Sequence, residues 1–282
     1  MRVNSRKVVF QTLFVLVTVF PVLAGLLYAF GYSIGVFGIQ KEITWEHWHA
    51  VIVGGMFWKS IGFSLYIGVL SVSVCVCIAL LLSLYWKKQL GKGWLVTTLF
   101  IPLCFPSTVM AFFSYQTFSK SGLVSRIWNN IVGATNIEAF PELINDAYGI
   151  GIIVTAILLM TPFFIILFSS VYGSERIEQL RKMAYTLGAS RQQTIWTVAI
   201  PIVLNKTKAT LFLFVIFIMG SYELPLLLGR QNPQMISVAT VQKLQRFNLY
   251  DIPQGYAMSV CYAVFVIALV VLLLYPKKQV VV

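Results

Sequence analysis

Glu223 is the only carboxylate inside a long apolar run of this chain, preceded by Ser221 and Tyr222 and followed by Leu224 and Pro225. An ionisable group at membrane depth is costly to place, so by default it marks a path for an ion or solute. Two readings stay open. Glu223 meets a cationic solute or closes a gate ion pair, or it is an interfacial acid bonded to a helix end or to Arg230. Ser221, Tyr222 and Glu223 are therefore the candidate solute-pathway residues. His47 and His49 would project together only from an extended chain. Among Trp45, Trp48 and Trp58 they read as part of an aromatic interfacial belt and not as metal ligands. Cys75, Cys77, Cys104 and Cys261 all fall in apolar runs, where a thiol acts as a small apolar side chain and neither a disulfide nor a zinc set is expected. No catalytic cluster of His, Asp, Glu or Cys is found, and no metal site is expected. The chain has no G-x-x-x-x-G-K-[ST] loop, so it lacks the cradle that holds nucleotide phosphates.

The elements carrying these residues are apolar. Of 282 residues 59% are hydrophobic and 11% charged, and the mean hydropathy is +0.84. That is outside the range of soluble domains, so the bilayer is the expected solvent. Six runs are long enough to cross it as helices: 8–34, 60–86, 94–118, 148–172, 202–228 and 254–275. The first is too long for a secretory signal and has no small-residue cleavage site after it, so it reads as a span. Pro102 and Pro106 in the third run and Pro162 in the fourth interrupt helical hydrogen bonding. No repeat or soluble segment appears, which implies one transmembrane domain over residues 1–282.

Basic residues set the orientation. With six spans both termini share a side, and that side carries fourteen of the 21 Lys and Arg residues; the opposite loops hold seven, beside six of the nine acids. The positive-inside rule then makes both termini cytoplasmic. The net charge of +12 is thus a topology signal, and no nucleic-acid partner is implied. Asn205-Lys206-Thr207 has the form of a glycosylation acceptor but falls on the cytoplasmic side.

The polar segment between the fourth and fifth runs, about 173–201, has a pattern of its own. Ser174 can cap a helix whose first turn holds Glu175 and Glu178, acids that suit the helix dipole. Ile177, Leu180, Ala184 and Leu187 repeat at three- and four-residue spacing, which predicts one apolar stripe on a charged helix. Gly188 stands where a left-handed residue ends the helix. Ser190-Arg191-Gln192-Gln193 reads as a capping box opening a second helix that reaches Pro201. A linker needs no such defined turn; a docking knob does.

Ala184, Gly188, Val198, Ile200 and Pro201, with Gly188-Ala189-Ser190 between, resemble the EAA loop of permease subunits in binding-protein-dependent ABC importers of type I. The similarity covers roughly residues 45–275. One departure is plain: Lys182-Met183 stands where the family has Glu-Ala. The resemblance implies a MetI-like, all-α membrane fold with six transmembrane helices and a cytoplasmic coupling helix between the fourth and fifth. It implies ATPase-coupling residues at Glu178, Arg181, Lys182, Ala184, Leu187, Gly188, Ala189, Ser190 and Pro201. It also implies the partners: an ATPase subunit dimer carrying the ATP and Mg, a second permease of the same or a different kind, an extracytoplasmic substrate-binding protein, and the lipid of a bacterial inner membrane. Thr44 to Trp48, ahead of Phe57 to Ser60, resembles the external segment before the second span of these permeases, and Gly220 to Pro225 with Asp251 to Gly255 resembles the branch handling polyamines, phosphonates, ferric iron and similar solutes. The alternative, a secondary transporter or channel without an ATPase, should show more ionisable residues in its spans or inverted repeats.

Overall fold

The structure is a computed structural model that describes residues 5–38, 42–85, 94–132, 140–246 and 248–274. Among them there are helices and no strands. Five helices are long and apolar enough to cross a membrane: Phe10–Ser33, Met56–Tyr85, Ile150–Ser174, Arg191–Met219 and Asp251–Leu273. Such spans satisfy their backbone polar groups internally, which hydrocarbon demands.

The run expected to give the third span, 94–118, is divided. It forms α4 (Trp94–Phe100), a short 3-10 turn at Pro102–Cys104, and α5 (Ser107–Phe118). The cause is local. Pro102 and Pro106 donate no N–H, and Phe105, the residue before Pro106, is driven to extended geometry with φ −87° and ψ 129°. Pro162 behaves differently: it lies inside α7 (Ile150–Ser174), which runs on without a break. The run expected at 202–228 is divided as well. α9 starts earlier, at Arg191, and ends at Met219; after Gly220 and Ser221 the short helix α10 (Glu223–Leu228) begins.

The chain forms two compact units. One comprises residues 60–238. Its centre is α7, whose Ile152, Ala156, Phe164, Phe168 and Tyr172 are buried against α3 (Met56–Tyr85), α5, α9 and α10. Phe214 of α9 packs on Phe163 and Phe164 of α7, with ring centroids 4.8 Å apart in both pairs. α3 and α9 touch at Gly68, where an added Cβ would sit 2.9 Å from the Val215 carbonyl oxygen. Helix association in lipid depends on such close packing more than on expelling water. This unit also holds α6 (Leu123–Val132) and α8 (Ile177–Thr186).

The other unit comprises residues 1–59 and 239–282. Its long helices are α1 (Ser5–Ser33) and α12 (Asp251–Leu274), which pack along each other, with α2 (Glu46–Val53) lying on α12. An aromatic seam joins α1 to α12: Tyr32 lies 4.5 Å and Tyr28 6.1 Å from Tyr256, centroid to centroid, and Phe37 stacks on Tyr28 at 5.4 Å. α11 (Ile236–Leu244) leads from residue 238 into this unit. Lys243 in its last turn and Arg246 just past its end both reach the Asp251 carboxylate, at 3.4 and 3.3 Å.

Candidate functional site

The hairpin at 173–201 is built by its own turn chemistry. α7 continues through Ser174, whose hydroxyl donates back to the Val171 carbonyl and not forward to a new helix. The expected cap at Ser174 is therefore replaced by a tight turn: Arg176 takes a left-handed conformation, φ 49°, and α8 starts at Ile177. Glu178 stands in its first turn, as expected from the dipole, while Glu175 remains in the turn and pairs with Lys206 of α9 at 2.9 Å. α8 ends as its glycine requires. Gly188 has φ +87°, its N–H donates to the Tyr185 carbonyl, and the Ala189 N–H donates to that of Ala184. These two bonds make a complete Schellman stop. The capping box is present too: the Gln193 N–H donates to the Ser190 hydroxyl, and the Ser190 N–H donates to the Gln193 side chain. The first turns of α9 then widen into a π turn at Ile195–Ala199. Pro201 follows it, gives no N–H to Thr197 and crowds that carbonyl, so the backbone ahead of it is forced open.

The apolar stripe expected on α8 divides between two faces. Ile177 is fully buried, but Leu180 is 41% and Leu187 88% exposed, and Met183 beside them is 65% exposed. Leu180, Met183 and Leu187 thus form an outward apolar strip on a charged helix, next to exposed Lys182. The inward place between them is taken by a cation. Arg181 is 8% exposed. Its Nη1 donates to the Tyr172 hydroxyl at 3.0 Å, its Nη2 to the Tyr185 hydroxyl at 2.7 Å, and its Nε to Thr194 Oγ1 at 3.4 Å. The Tyr172 hydroxyl donates on to the Glu178 carboxylate at 2.8 Å. Burial works against the Arg181 charge, yet the hydrogen bond to Tyr172 and the field of both tyrosines hold its pKa above the usual arginine value. Ala184 and Ala189 are half-buried, and Ser190 is exposed.

Tyr172, Tyr185 and Thr194 did not emerge from the sequence reading. The signal was there: Arg181 lies one turn after Ile177 and one turn before Tyr185, on the face that Ile177 buries.

Glu223 lies outside any long helix. It opens α10 at the break after α9, is exposed, and accepts a hydrogen bond from Ser107, the first residue of α5. The starts of two short helices, α5 and α10, therefore meet. Ser221 is bound into the break, its hydroxyl donating to the Ile218 carbonyl while its own carbonyl accepts from Ser237. Tyr222 is half-buried beside it. Among the described residues Glu223 and Arg230 form no ion pair; of the alternatives left open by the sequence, the bond to a helix end is the one present, through Ser107.

His47 and His49 lie on helical α2, where neighbours two apart point away from each other. Trp48 donates from Nε1 to the Ser33 hydroxyl at 3.0 Å, fastening α2 to α1. Among the described residues no three His, Cys, Asp or Glu side chains gather to hold a metal. The cysteines are free thiols, with Cys75 buried and its Sγ 3.5 Å from Thr161 Oγ1.

These features have relatives. Residues 75–275 match the family described as binding-protein-dependent transport system inner membrane component. A relative, the probable ABC transporter permease protein y4fN of Sinorhizobium fredii (strain NBRC 101917 / NGR234), is 27% identical over 160 residues. The match takes in 55% of this chain and 26% of that protein, so the chain spans about a quarter of its relative's length. Two solved structures share the fold at a TM-score of 0.70. One is a bacterial alginate ABC transporter in complex with an alginate pentasaccharide-bound periplasmic protein; it is 18% identical, covering 98% of this chain and 93% of its own. The other is a bacterial ABC transporter involved in importing the acidic polysaccharide alginate; it is 16% identical, covering 99% and 96%. With 201 consecutive residues inside the family match, the chain belongs to the binding-protein-dependent transport system inner membrane components, the permease subunits of ABC transporters.

Proposed function

We propose that this chain forms half of the translocation pathway of an ATP-driven importer, as one transmembrane permease domain over residues 1–282. Six spans are proposed, with the broken 94–118 segment serving as the third, and both termini on the cytoplasmic side of a bacterial inner membrane. The observation that carries the reading is the outward strip of Leu180, Met183 and Leu187 on a helix held rigid at both ends. Apolar side chains exposed on a charged helix, beyond the end of a membrane span, suit a cleft in a soluble partner.

In this reading α8 is the coupling helix and docks on an ATPase subunit, where ATP and Mg are bound. Leu187, Lys182 and the turn Gly188-Ala189-Ser190 face the partner. Ala184 packs behind them, Glu178 and Arg181 hold α8 from the inside, and Pro201 starts the rigid part of α9. Closure of the ATPase dimer moves α8, and α9 passes the motion to the pathway, which is shared with a second permease. Ser221, Tyr222 and Glu223, at the break where α5 and α10 meet, are the proposed pathway residues. Helix starts and an interrupted backbone line solute sites in other transporters for the same reason: unpaired backbone groups are tolerated only where a cavity or protein satisfies them. An extracytoplasmic binding protein delivers the solute, proposed from the sequence resemblance to be a small ion of the polyamine, phosphonate or ferric iron kind. This chain carries out no covalent step.

Purification of the tagged chain from native membranes tests the reading. Co-isolation of an ATPase and a second permease is the expected result; uptake that persists in vesicles without ATP would reject it.

A further inference from the structure

Among the described residues only two charged side chains are buried in the isolated chain, Asp146 and Arg181. Asp146 serves its own turn, accepting from the N–H groups of Tyr148 and Ile150 at the start of α7. Arg181 reaches across elements. Its three nitrogens bond Tyr172 at the end of α7, Tyr185 within α8 and Thr194 in the first turn of α9. The Arg181 guanidinium also lies over the Tyr185 ring, 5.8 Å from its centroid.

We infer that Arg181 is a positioning residue that ties α8 rigidly to α7 and α9, so that movement of α8 is passed on to both; the inference rests on the coupling reading above. Apolar packing such as that of Ile177 resists separation but tolerates sliding, because dispersion has no direction. A buried guanidinium does not tolerate it. Its five donors form a fixed fork, and each bond lost while buried leaves a desolvated charge without compensation. Displacement of α8 relative to α7 by about an ångström takes a 3.0 Å bond beyond hydrogen-bonding range. The three helix ends therefore move as one body. The network also stops just before the π turn at Ile195–Ala199, where the hydrogen-bond spacing of α9 changes, so it lies on the α8 side of that change.

The role is separable from merely keeping α8 folded. The probe is an impermeant maleimide, applied to membranes holding the full-length chain with its native partners. The four native cysteines are removed and Leu226, exposed on α10, is replaced as Leu226→Cys. In the parent, MgATP with orthovanadate should change the labelling rate several-fold. The combined Tyr185→Phe and Thr194→Val variant, which removes two of the three Arg181 acceptors and keeps both shapes, should lose most of that change while retaining as much ATPase as the parent. Arg181→Lys should respond more weakly than the parent, because one ammonium cannot reach three helices. An unchanged response in the double variant overturns the inference. So does a response lost only in proportion to lost ATPase, which would mean that the network merely shapes the docking surface. A parent that retains no ATPase and shows no response sinks the coupling reading itself, and the inference with it.

Discussion

Among the described residues, the hairpin at 173–201 and the junction of Ser107 with Glu223 interrupt the apolar body of this permease in opposite ways. The hairpin at 173–201 is written almost entirely in local chemistry: a Schellman stop at Gly188, a capping box at Ser190 and Gln193, and a widened turn ahead of Pro201. The junction of Ser107 with Glu223 joins residues 116 apart in sequence, and neither end has a side-chain cap of its own. The first takes the shape of its turns from bonds spanning a few residues, which suits the docking role proposed for it. The second exists only while α5 and α10 stay packed, so it reports any movement between them. The coupling role proposed above calls for both, a rigid transmitter and a yielding receiver.

The largest test of that contrast is Gly188→Pro. Proline cannot take φ +87°, and its missing N–H deletes the bond to Tyr185, so the Schellman stop is lost. The chain should still insert in the membrane but lose ATP-driven transport, measured as ATPase retained on the purified permease and uptake per ATP hydrolysed. Full coupling in this variant would show that the turn carries nothing.

Arg181→Met should come next. It leaves the buried hydroxyls of Tyr172 and Thr194 without their donor and should cost about 3 kcal/mol locally. Hydrogen exchange across α8 should speed accordingly, while exchange in the 60–85 segment stays as it was. Because the folded-state pKa of Arg181 is raised, its contribution is fully present at every pH below the ordinary arginine range. Exchange in the parent should thus show no loss of α8 protection between neutral and mildly acidic pH beyond the intrinsic rate change.

Glu223→Ala and Ser190→Ala place the two interruptions side by side at similar cost. Losing the Ser107 bond or the N-cap should each remove about 1 kcal/mol. The Ser190 variant should loosen only the amides of 191–194. The Glu223 variant should loosen the starts of both α5 and α10. If its effect stayed within α10, the long-range character of the junction would be disproved. Glu175→Gln should have the smallest effect, roughly 0.5 kcal/mol or less, since its pairing with Lys206 is solvent-accessible on both sides. A loss of transport in that variant would move part of the coupling role from Arg181 to the turn.

Much of the hairpin was legible beforehand because caps and stops act over three to five residues. Gly188, Ser190 and Gln193 each carry their geometry in residue type. The start of α8 was misplaced at Ser174 for the complementary reason: α7 is apolar and well packed up to Tyr172, and that packing carries the helix past a good cap. Proline gave mixed guidance. Pro102 and Pro106 divide their segment while Pro162 does not: Pro162 is buried within α7, whereas Ile101, Leu103 and Phe105 between α4 and α5 are exposed, and two prolines four apart interrupt one turn.

The sequence by itself determined that the chain lives in a bilayer, where its long apolar runs fall, and how the 173–201 segment turns at Gly188 and Ser190. Composition, hydropathy and capping are properties of residues and their near neighbours, so they survive without knowledge of the fold. Only the tertiary structure decided which face of α8 is buried, that Arg181 bonds Tyr172 and Thr194, and that Glu223 meets Ser107 instead of Arg230. Those contacts depend on how distant helices lie against one another, and helical periodicity names a face without naming what covers it.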